Sequence, residues 1–415
     1  MSYDYNNNQN QREYKEEIRF DENDFRRPNP GYQRPQNNGY NDPNSGYYRP
    51  QDNRYNDPNS GYYRPQDNGF GNEFKVREDP PRQTCYAPLI DEAKEKRNFS
   101  RIGLGYALFT AVSFAASYLI AYIVYLVNPD FYQTTLFRNL LTPLSLYVFA
   151  LPVLLIALSG CEAKAPEKKK MKFGVFMLFI VICFGMMNLG AMLGNYVMDY
   201  ISYYFGFDYS NNLESIIDYD NIWITAIFTV IVAPIGEELV FRKLIIDRTQ
   251  KYGGFVSIGL SGLIFGLMHG NFYQFFYCFA IGLILGYIYY NTGKLHLTII
   301  IHAVINFVGS VLTTFLAPVS EQLTLIDTTN TEALMTFVEE NFFAIIGVLI
   351  YSSFTYAAMA AAIALPIIFR KKIRLGRGEI SIPKRRFMPI VILNTGVIIM
   401  LVFYFLEFGL SILPI

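Results

Sequence analysis

Polar and apolar positions along this chain are segregated into blocks. Residues 1–97 hold few aliphatic side chains, and from residue 98 onward one apolar run follows another to the end. The runs lie near 103–127, 141–159, 172–198, 222–240, 255–270, 272–291, 296–316, 341–369 and 388–411. Most reach the ~20 residues that a helix rising ~1.5 Å per residue needs to cross a hydrocarbon layer of ~30 Å. Backbone in lipid must satisfy its hydrogen bonds internally, and runs of this kind do so as helices. The pattern predicts an all-α fold: a polytopic membrane helical bundle of about nine spans in residues 98–415, preceded by a disordered N-terminal tail. The run at 255–270 is the shortest and is marginal for a full crossing.

Charges in the loops test that count independently, because Lys and Arg accumulate in cytoplasmic loops. KEKR (94–97) precedes the first run, EKKKMK (167–172) follows the second, FRKLIIDRTQK (241–251) the fourth, and Lys294 the sixth. RKKIRLGRGE (370–379) and KRR (384–386) follow the eighth. The alternate loops are acidic or bare. The segment 199–220 carries Asp199, Asp208, Glu214, Asp218 and Asp220, and 317–340 carries Glu321, Asp327, Glu332, Glu339 and Glu340. A miscounted span would break this alternation, so the N-terminus is expected in the cytoplasm and the protein in a cell membrane. A reporter fused after Cys161 should read as cytoplasmic and one near Asn211 as external; finding both on one side would remove a span.

The tail, residues 1–97, is of low complexity. YNDPNSGYYRPQDN occurs at 40–53 and again at 55–68, with a degenerate GYQRPQNN at 31–38. Asn, Asp, Pro, Gly and Tyr in this mixture favour turns and extended chain over a buried core. Overall the formal net charge is +0, so composition gives no reason to expect a nucleic-acid partner. The partners expected are the lipid bilayer and a peptide or protein. Cys85, Cys161, Cys183 and Cys278 have neither metal-ligand nor redox spacing and read as free thiols. The N-terminal MSYDYNNNQNQREYKEE lacks the apolar stretch of a cleavable signal peptide.

Ionisable groups inside spans are costly and point to function. Here they concentrate at about 220–310. The fourth run ends in PIGEELVFRKL, with Glu237, Glu238 and Arg242; the fifth ends in IFGLMHG, with Phe265 and His269; the seventh reads HLTIIIHAVINF, with His302 and Asn306. Residues four apart share a helix face, so Glu238 can pair with Arg242, and His302 and Asn306 can present donors to one point. Glu237 is rotated by ~100° from Glu238 and need not share its job. Pro234, lacking an N–H, loosens the helix just before the acidic pair. His296 follows Lys294 at the cytoplasmic boundary and reads as a surface residue.

Two chemistries fit two Glu, two His and an Asn in a wet pocket. A buried carboxylate can act as general base on water while imidazole and carboxamide donors hold an oxyanion. Alternatively Glu237, His269 and His302 could hold a divalent metal such as zinc, which acidifies bound water. No H-E-x-x-H pattern is present.

The ordered trio E-E-x-x-x-R (Glu237, Glu238, Arg242), F-x-x-x-H (Phe265, His269) and H-x-x-x-N (His302, Asn306) resembles the CAAX prenyl protease and bacteriocin-processing family of intramembrane proteases. The resemblance covers roughly residues 220–310. It implies an endopeptidase in which Glu237 activates water, Glu238 pairs with Arg242, His269 holds or protonates the attacked group, and His302 and Asn306 form an oxyanion hole. Members are described both as metalloproteases and as glutamate proteases. The implied substrate is a peptide or protein cut near the membrane, and a bacterial plasma membrane suits the compact chain.

Two other readings compete. GLSGLIFG (259–266) resembles the serine stretch of rhomboid proteases, with Ser261 as nucleophile, although those proteases place H-x-x-x-N before the serine. The bland reading of Ser261 is small-residue helix packing together with Gly259 and Gly262. A non-catalytic immunity or scaffold protein, or a transporter using the polar groups as a proton relay, is the remaining class; the internal repeats common in transporters are not visible. Depth raises one difficulty. Glu237 lies about 8 Å inward of Arg242 by helix rise, whereas His269 ends its span. For them to meet, the fifth span must begin below the cytoplasmic surface or tilt strongly.

Overall fold

A computed structural model of the protein describes residues 90–206, 221–326 and 330–412. The repeats of the tail and Cys85 lie outside these residues. Among the described residues every regular element is a helix. Seven helices are long and apolar enough to cross a membrane: α1 (Glu92–Val127), α2 (Thr135–Leu158), α3 (Phe173–Phe205), α4 (Ile222–Tyr252), α6 (Phe272–Thr292), α7 (Leu295–Leu325) and α8 (Thr331–Ile368). Between α4 and α6 lies the shorter apolar helix α5 (Gly254–Leu267). The last run is a pair, α9 (Lys384–Ile392) and α10 (Thr395–Ser411), bent by 63°. Asn394 makes that bend: its amide donates to the carbonyls of Ile390 and Val391, and its side-chain oxygen caps α10 by accepting from Val397 N at 3.1 Å. All nine apolar runs are helical, but α5 is shorter than a full span and the last run is a bent pair.

Two boundaries differ from the sequence pattern. The tail was expected to extend to residue 97, yet α1 begins at Glu92. Asp91 caps it by accepting from Lys94 N at 3.0 Å, and Glu92 and Glu95 occupy the first turn, where the helix dipole favours acids. Glu95 is buried and receives the hydroxyl of Tyr252. The acidic stretch 317–340 was expected as a loop but is mostly helical, since α7 continues to Leu325 and α8 starts at Thr331 with Asn330 as its cap. Charged residues mark where an apolar run stops; helix formers such as Glu and Leu carry the helix past that point.

Small residues set the packing. α5 and α6 form an antiparallel hairpin in which a Cβ on Gly262 would lie 2.8 Å from Leu283 Cδ2, and one on Gly266 2.9 Å from Phe279 Cβ. On the far side of α6, Gly190 of α3 meets the backbone of Tyr277, and Gly185 meets Ala358 of α8. One apolar cluster joins α1, α2, α4, α5 and α10; a second joins α3, α6, α7 and α8. Cys161, Cys183 and Cys278 are buried free thiols, as their spacing implied.

The loop after α8 lies across the start of α5. Gly254 N donates to Gly376 O at 2.9 Å, and Ile380 N donates to Lys251 O at 2.8 Å. Gly253, with φ +93°, takes a left-handed conformation that allows this close approach. The start of α5 is thus covered by the basic loop after α8. Its 14 residues span about 21 Å. At the other end of α5, the turn 268–271 packs against α10, where Gly270 meets Glu407.

α4 is not a uniform helix. It widens into π turns at Ile227–Val232 and Glu238–Lys243, on either side of Pro234. α2 widens at Leu144–Ala150 and α7 at Phe307–Leu312. Such bulges recur at functional sites because they re-aim side chains. Here they surround one polar cluster.

Candidate active site

Glu238 is the centre of that cluster. Its side chain is 0% exposed, and Oε1 lies 3.2 Å from Nη2 of Arg242, which is also 0% exposed. Nδ1 of His302, brought in by α7, lies 3.0 Å from the same oxygen. A buried carboxylate has to be neutralised, and this one has two cationic or N–H partners. Arg242 is held a second way: its guanidinium carbon sits 4.2 Å from the centroid of the Phe265 ring of α5. No guanidinium nitrogen makes a well-aligned hydrogen bond among the described residues, so charge and ring contact hold the arginine in place.

Phe265 is the hub between the two histidines. The imidazoles of His269 and His302 stand edge-on to it, with centroids at 5.0 and 5.7 Å. His269 Nδ1 lies 2.8 Å from the carbonyl of Phe265, a contact that assigns the ring proton to Nδ1 and leaves Nε2 for other work. The turn carrying His269 is pinned by Asn271, which donates to His269 O at 2.7 Å and caps α6 by accepting from Gln274 N.

Glu237 has a different environment. Nε2 of His302 lies 3.6 Å from its Oε2, so the imidazole stands between the two glutamates. The Glu237 side chain keeps 23% exposure against 0% for Glu238. That exposure faces a groove of ≈ 340 Å³ between α2 and α4, lined by Arg138, Tyr147, Phe228, Thr229, Val232 and Glu237 among others. Tyr147 lies over Gly236, where a Cβ would collide with its ring.

The remaining expected residues fall in three places. Asn306, one turn beyond His302, donates from Nδ2 to Thr229 O at 2.9 Å and so reaches the groove wall. His296 is exposed and away from the cluster, in keeping with its surface reading. Ser261 is 0% exposed and its hydroxyl donates to Phe241 O at 2.7 Å, which makes it an interhelical tie between α5 and α4. Of its two glycine neighbours only Gly262 makes a close approach; nothing lies near Gly259.

A metal at Glu237, His269 and His302 was the other expectation. Among the described residues no three His, Cys, Asp or Glu side chains are grouped to hold an ion. His302 is turned between two carboxylates, and His269 is tied to a backbone carbonyl through Nδ1.

Residues 219–308 match the family described as Type II CAAX prenyl endopeptidase Rce1-like. Every charged or polar group of the Glu238 cluster lies inside this stretch, as does Asn306. This core is similar to the CAAX prenyl endopeptidase family. A Bacillus subtilis (strain 168) protein named "Putative membrane peptidase YdiL" is 30% identical over 99 residues, which is 23% of this chain and 41% of that protein. The chain thus matches under half the length of this curated relative. No solved structure matches the chain.

Two residues near this core escaped the sequence reading. Tyr147 belongs to a chain with 32 tyrosines, and nothing in its local pattern separates it from the others. Glu407 did carry a signal, a lone carboxylate in the last apolar run.

Proposed function

We propose that this protein is an intramembrane endopeptidase that hydrolyses a peptide bond of a membrane-associated substrate, with Glu237 activating the attacking water. One observation carries the reading: of two adjacent glutamates, only Glu237 faces the groove, while Glu238 is locked between Arg242 and His302. In this scheme Glu237 takes a proton from water, and the hydroxide adds to the carbonyl carbon of the scissile bond. The C–N bond then breaks as the proton passes from Glu237 to the leaving nitrogen. His302 donates from Nδ1 to Glu238 and turns Nε2 toward Glu237, which assigns it to orienting the base. The oxyanion role, expected of His302 and Asn306, passes in this scheme to His269 Nε2 and the second N–H of Asn306, the first being taken by Thr229. These steps use only side chains of the chain itself. Activity that is lost to a chelator and restored by zinc would overturn them.

The experiment is a comparison of membrane peptidomes from cells carrying the parent and Glu237→Ala, with Ser261→Ala alongside. Peptides present with the parent and with Ser261→Ala, but absent with Glu237→Ala, are expected. Ser261→Ala loses one buried hydrogen bond, a net ~0.5–1.5 kcal/mol, and should cleave near the parent rate. Cleavage that survives Glu237→Ala and dies with Ser261→Ala would transfer the chemistry to the serine.

A further inference from the structure

Glu407 lies in α10, outside the stretch that carries the family match. A carboxyl group in an apolar helix is costly and is retained for a reason. Among the described residues it makes no ion pair, and its Oε2 is buried without a hydrogen-bond partner. What it touches is the turn between α5 and α6. A Cβ built on Gly270 would lie 2.6 Å from Cδ and 2.8 Å from Cγ of Glu407, so this side chain rests directly on the Gly270 backbone. Gly270 has φ +64°, a left-handed conformation that glycine adopts freely.

The same face of α10 holds the residues on either side of that glycine. Tyr404 Oη is 3.6 Å from Met268 Sδ and 3.2 Å from the hydroxyl of Thr110 in α1, which in turn lies 3.2 Å from the same sulfur. Phe408 stands edge-on to Phe272 with centroids 4.9 Å apart. Tyr404, Glu407 and Phe408 are three and four positions apart and form one stripe. Met268, Gly270 and Phe272 are thus each gripped from α10, and His269 is the residue enclosed among them. The start of α6 beside the turn is the positive end of a helix, which favours a carboxylate over an apolar side chain at this spot.

We infer that Glu407 is a positioning residue: pressed on Gly270, it fixes the 268–271 turn and with it the seat of His269 against Phe265. The catalytic consequence rests on the peptidase reading; the mechanical one does not. The test uses the full-length protein in nanodiscs, with Glu407→Ala, Glu407→Gln, Gly270→Ala and the double variant Gly270→Ala/Glu407→Ala. Hydrogen exchange of the peptide spanning the turn should rise about tenfold or more in Glu407→Ala, with α3 and α8 unchanged. Glu407→Gln keeps the shape and should rise less. For a peptide that the parent cleaves, Glu407→Ala should lower kcat by ~10- to 10²-fold with KM little changed, as expected for a misplaced catalytic group. Gly270→Ala should be worse, and the double variant should recover part of the loss because deleting the glutamate makes room for the Cβ. Unchanged exchange in Glu407→Ala, or losses that simply add in the double variant, would overturn the inference. If exchange responds as expected while neither parent nor variants cut any peptide, the peptidase reading fails and the positioning of the turn stands.

Discussion

Glu237→Gln is expected to lower peptide cleavage by ~10²–10⁴-fold while leaving a folded, membrane-inserted protein. The amide keeps the size of the carboxylate and can still contact His302 Nε2, now 3.6 Å from Oε2, but it cannot take a proton from water. Because Glu237 is half-buried and makes no contact with Arg242, the substitution leaves no uncompensated charge behind. Its expected signature is therefore a fall in kcat at unchanged melting temperature. Steady-state cleavage of a substrate found in the peptidome comparison, together with a thermal melt of the purified protein, measures both. A variant that cleaves at the parent rate would remove Glu237 as the base. A variant that melts far below the parent would make it a structural residue.

The sequence made most of this site legible because charge is conspicuous against an apolar background. Glu237, Glu238, Arg242 and His302 stood out as polar interruptions of membrane-length runs. The four-residue spacing of Glu238 and Arg242 foretold their ion pair, which the structure places at 3.2 Å. Which partner His302 takes was not legible. Its 3.0 Å contact with Glu238 joins residues 64 apart, and only the crossing of α4 and α7 decides it over a shared point with Asn306. The aromatic contact was hidden for a different reason. Phe265 stood in the F-x-x-x-H pattern, but its contact with Arg242, whose guanidinium carbon lies over its ring, was not legible. The fifth run was marginal in length, and length alone could not reveal that the loop at 376–380 covers its start.

Arg242→Met should be the most destabilising single change in the core. It would leave the Glu238 carboxylate fully buried, with His302 and Thr298 but no arginine beside it. Removing one partner of a buried pair costs ~3–5 kcal/mol, because the remaining charge loses its compensation without regaining water. Arg242→Lys should rescue little. An ammonium restores the charge but not the flat contact with Phe265 at 4.2 Å, and its stronger hydration disfavours burial here. The double variant Glu238→Gln/Arg242→Met removes both charges and should melt well above Arg242→Met alone. It should still cleave poorly, since His302 would lose the carboxylate that orients its ring toward Glu237. Melting curves of the four proteins in the same detergent decide the matter. An Arg242→Met protein that melts like the parent, or a double variant no more stable than the single one, would show that the buried pair does not hold the cluster together.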